Sequence, residues 1–320
     1  MNFEKQERIL VAPLNWGLGH AARSIPLIKK YRAEGHFIML AANGEAFHLL
    51  SGQFPDLPFV SLPEWNIRYS RSSSQLFAML WQFPLFLLHA VWEHRRLNKI
   101  IRQHAITVVI SDNRFPLWNA KIKSIYLTHQ LMIKMPPQMA FLEYWVWKLH
   151  RWVILKYDEC WIPDTSGEDN LSGDLSHHFP LPPNARFIGW LSRFPVQSAF
   201  RPAKRYQRLC LVSGPEPHRT LFEQHLIARL SHEHQPVLLI RGKPSAYPAE
   251  DHIGSVDLLA HCSDEVLQQY ILDTPLIICR SGYSTLMDLT VLGKTNVELV
   301  PTPGQTEQIY LAEHYHARKK

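Results

Sequence analysis

Cysteine is scarce in this chain: four in 320 residues, at positions 160, 210, 262 and 279, with no Cys-x-x-Cys pair. That pattern excludes a disulfide framework and reads as reduced, buried thiols of a cytoplasmic protein. Charged residues make up only 19% and hydrophobic residues 46%, which excludes a disordered chain. Long apolar runs are also lacking. The longest, from Leu76 to Leu88, is interrupted by Gln82 and Pro84 and is too short to span a bilayer. No Asp-x-Asp occurs, so a metal clamp on a diphosphate is not expected, and no Gly-Lys-Ser/Thr follows a glycine turn, which excludes a P-loop. There is no internal period of 20 to 50 residues, and so no solenoid. The segment from Met1 to Arg8 is polar and runs straight into a strand, so no signal peptide is expected.

What is present is a basic chain with a net charge of +6, a pI near 9.1 and 18 histidines. Such a balance suits anionic partners: phosphates, nucleic acid or an acidic membrane surface. The basic residues are scattered and no nucleic-acid motif is visible, so nucleic acid is not an expected partner. The length suits two domains. Short β-rich runs alternate with helical spacing in both halves, which predicts α/β domains with parallel sheets. In the first half the strands are expected at 9–13, 37–42, 59–62, 107–110, 124–127 and 157–162, with 186–189 closing the domain. In the second they are expected at 209–212, 237–240, 257–260, 276–279 and 296–300. The division is 1–190, a Pro-containing linker at 191–207, and 208–320.

Two helical stretches, 74–104 and 140–156, break the rhythm. Both interleave aromatics (Trp145, Trp147, Trp152) with basic residues such as Lys148 and Arg151. They read either as helices packed on the sheet or as an interfacial surface for headgroups.

The first turn, Asn15 to Ser24, has the order strand, glycine turn, helix. Gly17-x-Gly19-x-x-Ala22 formally matches the dinucleotide fingerprint, but the second strand ends in Ala42-Asn43-Gly44, with Glu45 the nearest acid for a ribose. His20 enters the helix from this turn. It is either an N-cap-region histidine in a polar crevice or a general base, which a helix N-terminus would help keep neutral.

In the second half, Arg280-Ser281-Gly282-Tyr283-Ser284 places amides and hydroxyls at a helix start, a cradle for a diphosphate. Asp288 falls one turn later, where a carboxylate can accept both hydrogens of a ribose diol. Gln305-Thr306-Glu307-Gln308 offers groups for sugar hydroxyls or, alternatively, a capping box for the last helix. Arg241, Lys243 and Arg219 are the nearest cations.

Together with Thr128-His129-Gln130 and Ser213-Gly214-Pro215-Glu216, these segments resemble the GT-B glycosyltransferases of family 28, the family of the enzyme that forms lipid II. The resemblance implies two Rossmann-like domains facing each other across a cleft. It also implies a metal-independent inverting transfer of a hexose or N-acetylhexosamine from a UDP-sugar, a co-substrate in place of any cofactor. Ser213, Gly214, Arg241, Arg280, Ser281, Gly282, Tyr283, Ser284, Asp288, Gln305, Glu307 and Gln308 would hold the donor. Gly17, Gly19, His129 and Gln130 would face the acceptor, with His20 near the attacking hydroxyl. The acceptor is expected to be lipid-linked or a cell-envelope glycan, with the enzyme cytoplasmic and peripheral on the plasma membrane.

The sequence departs from that family in its first loop, in Pro215-Glu216, and in a tail that leaves little for a helix to cross back over the first domain. Acceptor and donor sugar are therefore not carried over from lipid II synthesis. The alternatives are a sugar-nucleotide epimerase of the same shape, or a non-catalytic nucleotide-sugar-binding protein.

Overall fold

The computed structural model describes residues 6–63, 75–194, 206–247 and 250–318, the side chains of 75–84 excepted. The linker expected at 191–207 lies mostly outside the described residues, as do the apolar side chains of the first half of the 74–104 stretch.

The first sheet holds seven strands: β1 (Arg8–Pro13), β2 (Phe37–Ala41), β3 (Phe59–Val60), β4 (Val108–Asp112), β5 (Lys123–Leu127), β6 (Glu159–Ile162) and β7 (Ala185–Phe187). They are all parallel, in the order β3-β2-β1-β4-β5-β6-β7. The strands are nearly continuous apolar runs because helices cover both faces. Five of the six residues of β1 are buried. The helices are α1 (Gly19–Ala33), α2 (Gly44–Gln53), α3 (Gln75–His104), α4 (Glu143–Ile154) and the short α5 (Asp174–His177). Neither α2 nor α5 is read from the sequence, and α1 begins two residues before the apolar spacing does.

The second sheet comprises β8 (Arg208–Leu211), β9 (Val237–Ile240), β10 (Glu250–Ile253), β11 (Val256–Leu259), β12 (Leu276–Cys279) and β13 (Val297–Leu299), in the order β10-β11-β9-β8-β12-β13. Only β10 is antiparallel, as the edge half of a hairpin with β11. Its four residues are all exposed, so no apolar pattern announces it. Helices α6 (His218–Leu230), α7 (Asp264–Asp273), α8 (Tyr283–Val291) and α9 (Thr306–Ala317) complete this half.

Each sheet has one place where strand order reverses, between β1 and β4 and between β8 and β12. In open α/β sheets ligands lie outside the carboxyl ends of strands at such a point. Here the two reversal points face one another. Ser284 Oγ, at the start of α8, donates to the carbonyl of Gly19 at the start of α1 (2.9 Å). A Cβ on Gly17, whose φ is +80°, would stand 3.2 Å from Gly214 Cα. Small residues at both turns are what let the halves come this close. The apolar core is shared as well: Ile25 and Leu175 of the first half pack in one cluster with Leu286, Met287 and Leu311 of the second.

Two expectations are corrected here. The tail does reach the first domain: α9 lies against it, with Tyr310 Oη accepting from Asp174 N (2.6 Å) and His314 Nε2 donating to Asn170 O (3.1 Å). Trp147, grouped by sequence with the interfacial aromatics, instead faces inward and stacks on Phe179 at 4.9 Å. Trp145 and Trp152 do project outward.

Candidate active site

A cavity of about 370 Å³ lies between the two reversal points, within the usual range for small-molecule sites. The loops after β1, β4 and β5 contribute Trp16 to His20, Asn113, His129 and Gln130. Facing them are Ser213 and Gly214, Gly282 to Thr285, Asp288, and Gln305 to Gln308.

On the first-domain side the side chains form one hydrogen-bonded group. His20 Nδ1 is 2.9 Å from Asp112 Oδ1. Arg23, one turn further along α1 and only 1% exposed, donates Nε to Asp112 Oδ2 (2.7 Å) and Nη2 to Asp112 Oδ1. Burial alone would raise the Asp112 carboxyl, but the charges of Arg23 and His20 and their hydrogen bonds outweigh it and hold it at about 2. Asp112 is therefore a carboxylate that can only accept, so it binds Nδ1 when that nitrogen carries hydrogen, whereas Arg23 Nη2, 3.0 Å from the same nitrogen, binds it when it does not. In the neutral Nδ1–H form Nε2 is a lone pair, with no hydrogen-bond partner among the described residues, in a side chain lining the cavity.

Arg23 Nη1 also reaches His129 Nδ1 (2.9 Å), whose Nε2 lies 2.8 Å from Glu307 Oε1 in the second domain. The His129 ring stacks on Tyr283 with centroids 4.1 Å apart. Burial lowers the His129 pKa, against the pull of Glu307, so the ring stays neutral. Both its nitrogens are occupied, so it is part of the wall and not a free acceptor ligand.

On the second-domain side the backbone dominates. The first intrahelical bond of α8 runs from Leu286 N to Gly282 O (3.0 Å), so the amides of Tyr283, Ser284 and Thr285 are left for a ligand. Tyr283 contributes only this amide, since its hydroxyl donates to Pro163 O (2.7 Å). Asp288 lines the cavity, as expected from sequence. One of its oxygens accepts from Ser192 Oγ (2.7 Å), and the other lies 3.5 Å from Arg193 Nε. Burial raises its pKa to about 6, with Arg193 and Ser192 opposing.

Gln308 Nε2 donates to Gln305 Oε1 (2.7 Å), while Gln308 Oε1 accepts from Thr302 N (2.8 Å). The capping box does not form. Gln305, at the N-cap position of α9, makes no side-chain cap bond, and Thr306 Oγ1 donates instead to Lys134 O (2.5 Å).

Three donor-binding expectations do not reach the cavity. Arg241 turns to Glu223 (Nε to Oε1, 2.7 Å). Arg280 lies 3.9 Å over the Phe222 ring and donates to the carbonyls of Val300 and Pro301, pinning the loop after β13 from behind. Ser281 is fully buried, with Oγ donating to Gln308 O (2.6 Å). Glu45, the candidate ribose acid of a dinucleotide site, accepts from Ser245 N (3.0 Å) in the other domain. Conversely, Asp112, Arg23 and Arg193 are site residues that sequence reading passes over.

No model of a known protein family matches the sequence, and no curated protein sequence matches it. Solved structures do. The glycosyltransferase SnogD from Streptomyces nogalater superposes with a TM-score of 0.60 at 14% identity, over 97% of this chain and 85% of that one. The spinosyn rhamnosyltransferase SpnG, complexed with thymidine diphosphate, gives 0.58 at 14% identity over 98% and 85%. MurG of Acinetobacter baumannii gives 0.52 at 12% over 97% and 82%. The chain has the GT-B architecture. Two parallel-sheet domains with opposed reversal points are that architecture, and its structural neighbours include both MurG and glycosyltransferases of other kinds.

Proposed function

We propose that this GT-B protein is a glycosyltransferase that moves a sugar from a nucleoside-diphosphate donor of the UDP class to an acceptor hydroxyl. The observation that carries the reading is His20. Its Nδ1 stands 2.9 Å from a buried carboxylate, and the ring lines a cavity whose opposite wall is the amide-rich start of α8.

In the reaction, the acceptor O–H gives its proton to His20 Nε2 as its oxygen bonds to the anomeric carbon from the face opposite the leaving group. The bond from that carbon to the diphosphate oxygen breaks, and the nucleoside diphosphate leaves with the electron pair. The configuration inverts. Asp112 stabilises the imidazolium that forms, a contribution of ~10²–10⁴ in rate for a positioned base. Charge building on the leaving diphosphate falls on the amides of Tyr283, Ser284 and Thr285 and on the positive end of α8. Asp288 takes the ribose hydroxyls. Gln305, Glu307 and Gln308 face the donor sugar, and Gly17 and Gly19 leave clearance for the acceptor.

The acceptor is lipid-linked in this reading. Helix α4 and its approach turn Phe141, Trp145, Leu149 and Trp152 to solvent. Lys148 Nζ sits 4.6 Å from the Tyr144 ring centroid, and Lys156 Nζ sits 4.8 Å from that of Trp152. Aromatic rings carrying cations suit the headgroup layer of an anionic membrane. Among the described residues no helix is long and apolar enough to cross a membrane. Co-sedimentation with phosphatidylglycerol vesicles is expected for the native chain and is lost when Trp145, Trp152 and Lys148 are replaced by serine. Unchanged sedimentation contradicts the docking face.

The donor is tested by a thermal-shift panel of nucleotide sugars. A donor present at 100 times its Kd adds about 2.7 kcal/mol to stability. UDP-sugars are expected to raise the melting temperature most, and a panel with no shift contradicts the proposal.

A further inference from the structure

We propose that Glu307 of the second domain sets the tautomer of His20 in the first, acting through His129 and Arg23. The inference rests on the reading of His20 as the base and extends it to three positioning residues.

His20 Nδ1 has two neighbours of opposite character: Asp112 Oδ1 at 2.9 Å and Arg23 Nη2 at 3.0 Å. The carboxylate can only accept and the guanidinium can only donate. When Nδ1 carries hydrogen and gives it to Asp112, Nε2 is bare and can take a proton from an acceptor. When Nδ1 accepts from Arg23, Nε2 carries the hydrogen and cannot. Which of these two partners Nδ1 serves therefore separates a base from a spectator.

The rotation of Arg23 is fixed by its bonds to Asp112 and by the bond from Nη1 to His129 Nδ1 at 2.9 Å. That last bond exists in only one neutral form of His129, with Nδ1 bare and hydrogen on Nε2. Glu307 Oε1, at 2.8 Å from Nε2, requires that same form. The groups facing His129 are Arg23 from α1, Glu307 from α9 and the stacked Tyr283 from α8. Those facing His20 are Asp112 from the end of β4 and Arg23. Glu307 sits in the first turn of α9, two residues from Gln305 on the donor side of the cavity. Removing Glu307 frees His129 to change tautomer and so loosens Arg23, whose Nη2 already stands 3.0 Å from His20 Nδ1.

Two substitutions separate this relay from simple stacking. His129→Phe keeps a flat ring on Tyr283 and deletes both hydrogen bonds. His129→Gln loses the ring but keeps one acceptor and one donor. Histidine tautomers are read by long-range ¹H–¹⁵N NMR of the full chain at about pH 8.5, where an ordinary imidazole is neutral. The His20 signal is assigned by its loss in His20→Ala. His20 is expected as the Nδ1–H form in the native chain and in His129→Gln, and as the Nε2–H form or a mixture in His129→Phe. Glu307→Ala, a change at the cavity edge, gives the same loss should the Phe variant not fold.

With UDP-glucose as the probe, hydrolytic turnover in His129→Phe falls at least about tenfold with KM changed less than about twofold, and His129→Gln recovers it. A native His20 tautomer in both His129→Phe and Glu307→Ala overturns the relay, as does a Phe variant that works where the Gln variant fails. Failure of the base reading looks different: His20→Ala would then turn over UDP-glucose at the native rate, whatever the NMR shows.

Discussion

Two buried aspartates serve the same site, Asp288 lining the cavity and Asp112 lying behind His20, and they are held in opposite states. Asp112, at the end of β4, is pressed down to about 2 by Arg23 and His20 in spite of its burial. Asp288, inside α8, is raised to about 6 by burial, which Arg193 and Ser192 only partly offset. The difference lies in their cations. Arg23 is 1% exposed and makes two hydrogen bonds to Asp112, whereas Arg193 lies 3.5 Å from Asp288 and shares its charge with Asp264. A carboxylate with both oxygens held by fixed partners positions a base. One with loose partners has capacity left for a ligand. Chemistry is thus assigned to side chains on the first-domain side, and on the second-domain side binding is assigned to backbone amides and one under-satisfied acid.

The largest effect expected from breaking this contrast comes from Arg23→Met, which leaves Asp112 buried without its cation. Removing one partner of such a pair costs about 3–5 kcal/mol, readable as a fall in the urea midpoint. Arg193→Met is expected to cost about 1 kcal/mol in the same assay, and equal losses would erase the distinction between the two acids.

A second effect follows from the direction of each shift. Asp112, depressed in the folded state, contributes stability that is present above the unfolded carboxyl range and lost as pH falls toward 2. Asp288, raised in the folded state, contributes stability that is present below that range and lost as pH rises through about 6. The native chain therefore loses up to about 3 kcal/mol on this account between roughly pH 4 and 7. Asp288→Asn, which can still accept from Ser192, is expected to flatten that slope, and an unchanged slope contradicts the assignment.

Much of this arrangement was legible in the sequence. The parallel strands are apolar runs, and the glycine turns after β1 and β12 mark both reversal points. His20, Asp288 and the 305–308 cluster all line the cavity. What escaped reading depends on strand order, which no local pattern encodes. Asp112 follows an apolar run and Ser111 and reads as one polar residue of a loop, and only the adjacency of β1 and β4 puts it against His20. Arg23 reads as an ordinary cation in a first helical turn, yet it is buried because that turn faces β4. The opposite error befell Arg280 and Arg241. Cations beside glycine loops suggest a phosphate, but here one stacks on Phe222 and the other pairs with Glu223. Glu307, expected to serve the donor sugar, also reaches across to His129, a contact set by the docking of α9 onto the first domain.

The central claim, one site built from two halves with His20 as its base, is tested most directly by His20→Ala, with UDP binding and sugar transfer measured on the same preparation. The account predicts transfer reduced by ~10²–10⁴ with UDP affinity nearly unchanged. Transfer at the native rate, or UDP affinity lost together with transfer, would contradict it.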